Sequence, residues 1–185
     1  MDTTTLISVI VLIGIAVLAV AAIIYLQKRR SEGLRSRFGP EYDRTMRESK
    51  DRSHAEAALE ARKKRVERLN IRPLTPADTA RFTESWHMVQ TRFVDDPKGA
   101  IAEADQLLGD VMSTRGYPVT DFNQRTADIS VDHPRVVENY RAAHEIALRH
   151  AQGQASTEDL RQAMIHYRTL FMDLVGEPEN VRRAA

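Results

Sequence analysis

The chain opens on an unbroken apolar run and then settles into a repeat in which apolar side chains return every three or four positions. Residues Leu6 to Leu26 read LISVIVLIGIAVLAVAAIIYL, with no charge and Ser8 as the one strongly polar side chain. About 21 residues at about 1.5 Å each span about 32 Å, the thickness of a bilayer's hydrocarbon core. Only a helix satisfies its own backbone there, so the pattern predicts a transmembrane anchor over residues 1–27. Ala19-Val20-Ala21 resembles a signal-peptide cleavage site. The front end Met-Asp-Thr-Thr-Thr, however, lacks the basic region that a signal peptide carries.

Phe38-Gly39-Pro40 predicts the first break. From Glu41 to about Asn70 no breaker occurs, and Ala55, Leu59, Val66 and Leu69 form a thin apolar stripe, with Tyr42 and Met46 starting another. So thin a stripe predicts a solvated helical stalk or weak coiled coil over residues 28–72. The pattern leaves open whether that stalk is straight or packs on the C-terminal part of the chain.

From residue 73 the stripes become strong. Thr75-Pro76 and Asp96-Pro97 each read as an N-cap with proline at the first helical position. Phe82, Trp86, Val89 and Phe93 share one face, as do Ile101, Ala104, Leu108 and Val111, and Gly116 ends the second helix. A short helix from Asp121 to about Ile129 is anchored by Phe122. Asp132 is the expected N-cap of the next, with Val137, Tyr140, His144, Ala147 and Ala151 facing inward up to the stop at Gly153. Ser156-Thr-Glu-Asp159 opens the last helix as a capping box, ahead of Leu160, Met164, Tyr167, Phe171 and Leu174. No segment alternates as a strand does. The fold class is therefore all-α: an N-terminal transmembrane helix, a helical stalk and a C-terminal helical bundle over 73–176, with a frayed tail over 177–185 that includes Pro178.

Charge adds an asymmetry. Residues 28–72 hold about 15 Lys+Arg against about 8 Asp+Glu, and residues 73–185 about 12 against about 17. Asp2 precedes the span while Lys28, Arg29 and Arg30 come directly after it. Positive flanks stay cytoplasmic, which puts the N-terminus outside and the domain in the cytoplasm. Those three cations are also the residues placed to meet lipid headgroups. The chain has no cysteine, which excludes disulfides, thiolate metal clusters and cysteine nucleophiles.

Motifs for chemistry are scarce. His144-Glu145 begins an HExxH pattern, but Leu148 stands where the second histidine belongs and His150 lies off the face. Glu84 and His87 have the spacing of a di-iron bundle without the second copy such a site needs. His133, before a proline, is expected to pack or cap, and Trp86 to anchor the core. The basic run Arg62-Lys63-Lys64-Arg65, with Arg68, is interleaved with Glu56, Glu60 and Glu67 and reads as a solvated face rather than a nucleic-acid site. No catalytic residue, metal site or cofactor is assigned.

Six pieces in order carry a resemblance: Arg37-Phe-Gly-Pro-Glu-Tyr-Asp-Arg44, Asn70-Ile-Arg-Pro-Leu74, Arg92-Phe-Val-Asp-Asp-Pro97, Arg115-Gly-Tyr-Pro118, Ser130-Val-Asp-His-Pro-Arg-Val-Val-Glu-Asn-Tyr-Arg141 and Thr157-Glu-Asp-Leu-Arg-Gln-Ala-Met164. Together they resemble an uncharacterised family of bacterial membrane-anchored helical proteins. The resemblance implies a bacterial, inner-membrane protein and brings no activity. The expected function is a membrane-tethered interaction module whose partners are the bilayer and a protein. The alternative is an enzyme or small-ligand binder with a pocket between bundle helices.

Overall fold

The computed structural model describes residues 3–118 and 121–176, and every element in that range is helical. The frayed tail expected over 177–185 lies outside the described residues. The chain divides into two compact units, Met1–Arg37 and Phe38–Ala185.

The first unit is carried by α1, Thr3–Phe38. Its segment Leu12–Phe38 is long and apolar enough to cross a membrane, and the side chains of residues 12–30 are exposed throughout. Leu18, for instance, is 71% exposed. In water such a surface would be strongly unfavourable, since each fully buried side chain of this kind gains roughly 1.5–3 kcal/mol.

Gly39, at φ 48°, ends α1, and Pro40 opens α2, Pro40–Glu48. The helix does not continue to Asn70 as the pattern suggested. Ser49 turns to extended backbone, and Asp51 caps a new helix, α3 (Arg52–Val66), by accepting from the His54 amide at 2.8 Å. The remaining helices are α4 (Pro76–Asp95), α5 (Pro97–Arg115), α6 (Phe122–Asp132), α7 (Val137–Ala151) and α8 (Thr157–Val175). Thr75, Asp96 and Ser156 cap α4, α5 and α8 as expected, Ser156 in a reciprocal box with Asp159. Gly116, at φ 99°, closes α5 in a Schellman turn through Tyr117 N–H to Met112 O.

The core forms where α5 packs between α4 and α8 while α7 packs on α8. Phe82, Trp86, Val89, Ile101, Ala104, Leu108, Val111, Tyr140, Leu160, Met164, Tyr167, Phe171 and Leu174 are all buried in it. On α7 the inward face is rotated from the expected one. Ala143 and Ile146 are buried beside Tyr140, whereas His144 and Ala147 are half-buried and Ala151 is exposed.

Two expectations are corrected. Residues 38–72 are not a solvated stalk or coiled coil: α3 packs on α6, α2 packs on α3, and both belong to the second compact unit. The thin stripe is used: Tyr42, Ala55, Leu59 and Val66 are buried, Met46 is half-buried, and Leu69 packs partly buried against the main core. Asp132 is not the N-cap of α7. It is the last residue of α6, its carboxylate accepts from the Tyr117 hydroxyl, and α7 starts after Val136 without a side-chain cap.

Candidate functional site

Three buried polar groups tie the second unit together. Glu41, only 1% exposed on α2, accepts from Arg62 of α3 at 2.8 Å and from both terminal nitrogens of Arg141 of α7 at 2.7 and 3.0 Å. Arg44 adds a third guanidinium at 3.7 Å. A carboxylate this buried persists only because cations neutralise it. The basic run read from the sequence is engaged in the same way: Arg65 donates to buried Asp128 at 2.6 Å, and Lys63 lies between Glu60 and Glu67.

Arg115, at the end of α5, is fully buried. Its Nη1 donates to the carbonyl of Leu174 at 2.8 Å and lies 3.2 Å from His133 Nε2. A guanidinium only donates, so Nε2 accepts and the ring proton sits on Nδ1. Nδ1 in turn donates to Asp173 of α8. A neutral imidazole therefore bridges a buried cation to its carboxylate. Arg115 Nε and Nη2 are buried without a protein partner. The segment after α3 closes this knot: Arg72 N–H donates to the Arg115 carbonyl at 2.9 Å. A Cβ on Gly116 would come within 2.4 Å of Asn70 O. His133 thus packs and caps, as expected of it, and its N–H also donates to Ile129 O. An aspartate-oriented histidine invites comparison with a general base, but here Nε2 is taken by Arg115 and the ring is 1% exposed.

The third group surrounds Asp105 of α5, which accepts from Tyr167 at 3.4 Å and lies 3.9 Å from Arg125. Burial, then the charge of Asp105, pushes the Tyr140 and Tyr167 hydroxyls far above the usual phenol range. Burial also lowers the His144 pKa, the ring being stacked on Phe122 at 3.6 Å. Phe122, His144, Arg44 and Arg141 border a shallow cavity of about 390 Å³. Its arginines are already committed to Glu41, Glu48 and Glu138.

A second cavity, of about 330 Å³, is a groove between α4 and α8. Both helices pack on α5, and they meet through Trp86 and Phe171, stacked with ring centroids 4.7 Å apart. That stack is the floor. Thr83, His87 and Gln90 form the α4 lip, and Arg168, Met172, Val175 and Gly176 the α8 lip. None of the lining residues is acidic. This groove is the candidate binding site: concave, mostly apolar, with a few polar groups at its edge.

The sequence pointed to Trp86 only as a core anchor, which it is, at 3% exposure. It did not point to the groove. Of the metal candidates, Glu84 and His87 lie on the exposed face of α4, and among the described residues no cluster of three or more possible ligands occurs. Lys28, Arg29 and Arg30 are exposed on α1. Three of the six resembling pieces are brought together in the buried knot: Asn70–Leu74, Arg115–Pro118 and Ser130–Arg141. No family model, curated protein or solved structure matches the chain.

Proposed function

We propose that the protein is a membrane-tethered helical interaction module of the bacterial inner membrane, with its N-terminus outside and its bundle in the cytoplasm. The observation that carries it is the apolar surface of α1, exposed over residues 12–26 and joined to a separately compact helical unit. The orientation is supported by Asp2 before the span and Lys28, Arg29 and Arg30 after it, where they meet anionic headgroups.

The chain's lack of cysteine makes the test direct. Single cysteines replace Asp2 or exposed Glu145, and cells with a permeabilised outer membrane are treated with a membrane-impermeant maleimide. Labelling at position 2 with protection at 145 is expected, and the reverse pattern overturns the orientation. Carbonate extraction should leave the full chain in the membrane and release a chain lacking residues 1–27. Release of both overturns the anchor. A second reading, a small-ligand binder, is favoured by the cavity between α4 and α8. Ligand screening against the full chain distinguishes it, because a tether needs no ligand of that size.

A further inference from the structure

The groove between α4 and α8 extends beyond its cavity. One turn along the α8 lip from Arg168 lies Ile165, and one turn along the α4 lip from Gln90 lies Val94. Ile165 is 43% exposed, Met172 60% and Val94 80%. The apolar strip thus runs past the cavity of about 330 Å³, and it carries a methionine, which adapts to varied partners. Its charge is one-sided. Arg168 borders it, no lining residue is acidic, and among the described residues Arg168 has no carboxylate partner. At the floor, the Trp86 indole N–H is buried without an acceptor.

We propose that this groove, built on the Trp86–Phe171 stack, receives an amphipathic helix of a partner protein that lays an apolar face across Met172 and Val94 and sets an acidic side chain against Arg168. The proposal rests on the interaction-module reading. Apolar side chains spaced at i, i+3/i+4 and i+7 fit along two helical lips that, out to Val94 and Ile165, each run about three turns. Arg168 supplies selectivity, since a basic residue placed opposite it would be repelled.

Trp86 is the chain's single tryptophan, so its emission reads the groove without background. The full chain, in nanodiscs of zwitterionic lipid, is titrated with a tryptophan-free amphipathic peptide of roughly 18 residues with leucines at that spacing and glutamates flanking them. A twin peptide carries lysines instead. Saturable change in Trp86 emission with the acidic peptide is expected. Arg168→Glu should weaken it by about tenfold or more and favour the lysine twin. Equal response to both peptides, or none, overturns the proposal. In cells, a photo-crosslinking amino acid replaces Met172, or Leu148 on α7 as a control. A crosslink from position 172 to an acid-bearing amphipathic segment of another protein supports the proposal. A crosslink there to lipid, to a second copy or to residues 177–185 of the same chain overturns it. Crosslinks to protein from position 148 alone overturn the groove but spare the module, whereas none from either position removes both.

Discussion

Replacing Glu41 by glutamine keeps the side chain's volume and removes its charge. The native carboxylate accepts three short bonds from Arg62 and Arg141 at 2.7–3.0 Å while itself only 1% exposed. Removing one partner of a buried ion pair costs about 3–5 kcal/mol, because the other charge is left uncompensated. Here the abandoned arginines are 17% and 25% exposed, so water recovers part of their charge. With its oxygen at the Oε1 position the glutamine retains the two bonds from Arg62 and Arg141 Nη2, but its amide nitrogen then faces the Arg141 Nη1 donor. The expected loss is about 2–4 kcal/mol, against a total stability of about 5–15 kcal/mol for a domain. With a urea slope near ~2 kcal/mol/M, the midpoint should fall by about 1–2 M. The assay is urea unfolding of the full chain in mild detergent, monitored by helicity at 222 nm. Arg141→Met supplies the second arm, and the double variant should be milder than the sum by at least about 1 kcal/mol. A midpoint shift below about 0.25 M would refute the reasoning, because about 0.5 kcal/mol is what an exposed residue on a solvated helix contributes.

Four further substitutions probe the backbone, a titrating ring and a cap. Gly116→Ala meets both a φ of 99° and Asn70 O at 2.4 Å, whereas Gly153→Ala meets a φ of 71° and open space. The first should cost more than about 2 kcal/mol and the second about 1 kcal/mol, and equal urea midpoints for the two would disprove the close approach. Burial holds the folded His144 pKa below 6.5, so the unfolded chain takes up the proton first. Stability should therefore fall as pH drops below about 6.5 and level off beneath the folded pKa. His144→Phe, which keeps the stack on Phe122, should flatten that slope, and identical pH profiles of the urea midpoint would contradict it. Ser156→Ala removes the acceptor for the Asp159 amide and half of the reciprocal box, and should cost about 1 kcal/mol in the same assay. No change would mean that the box does not hold the start of α8.

The caps of α4, α5 and α8 were legible because each is settled within four residues: Thr75 with Asp78, Asp96 with Gly99, Ser156 with Asp159. The core stripes of those helices were legible for the same local reason. What escaped depends on partners far along the chain. Asp132 resembles an N-cap until Tyr117 takes its carboxylate. The stripe on α3 looked too thin to bury because its flanks are arginines, and those arginines are matched by Glu41 and Asp128, 21 and 63 positions away. Glu41 and Arg141 are 100 positions apart, and nothing in either neighbourhood marks them as a pair. The groove escaped most completely. Its signal is Arg168, Met172 and Val94 standing just off two strong core stripes, and that becomes a surface only once α4 and α8 are placed on α5.

The buried knot and the groove share α8, and the division of labour between them comes from helical geometry. Met172 lines the groove, while Asp173, about 100° further round, turns inward to His133, and the carbonyl of Leu174 accepts from Arg115. The last turn of α8 is therefore held to the end of α5 by a cation, a neutral ring and a carboxylate, and the lip of the groove is the other face of that same turn. Docking surfaces lose affinity when their side chains must be ordered on binding. A turn tied down at its back removes that cost at its front. In the knot Arg115 and His133 are buried and Asp173 alone reaches solvent, at 28% side-chain exposure, while none of the groove's lining residues is acidic. On the proposed reading of the groove, the polar cluster is the support of its α8 lip.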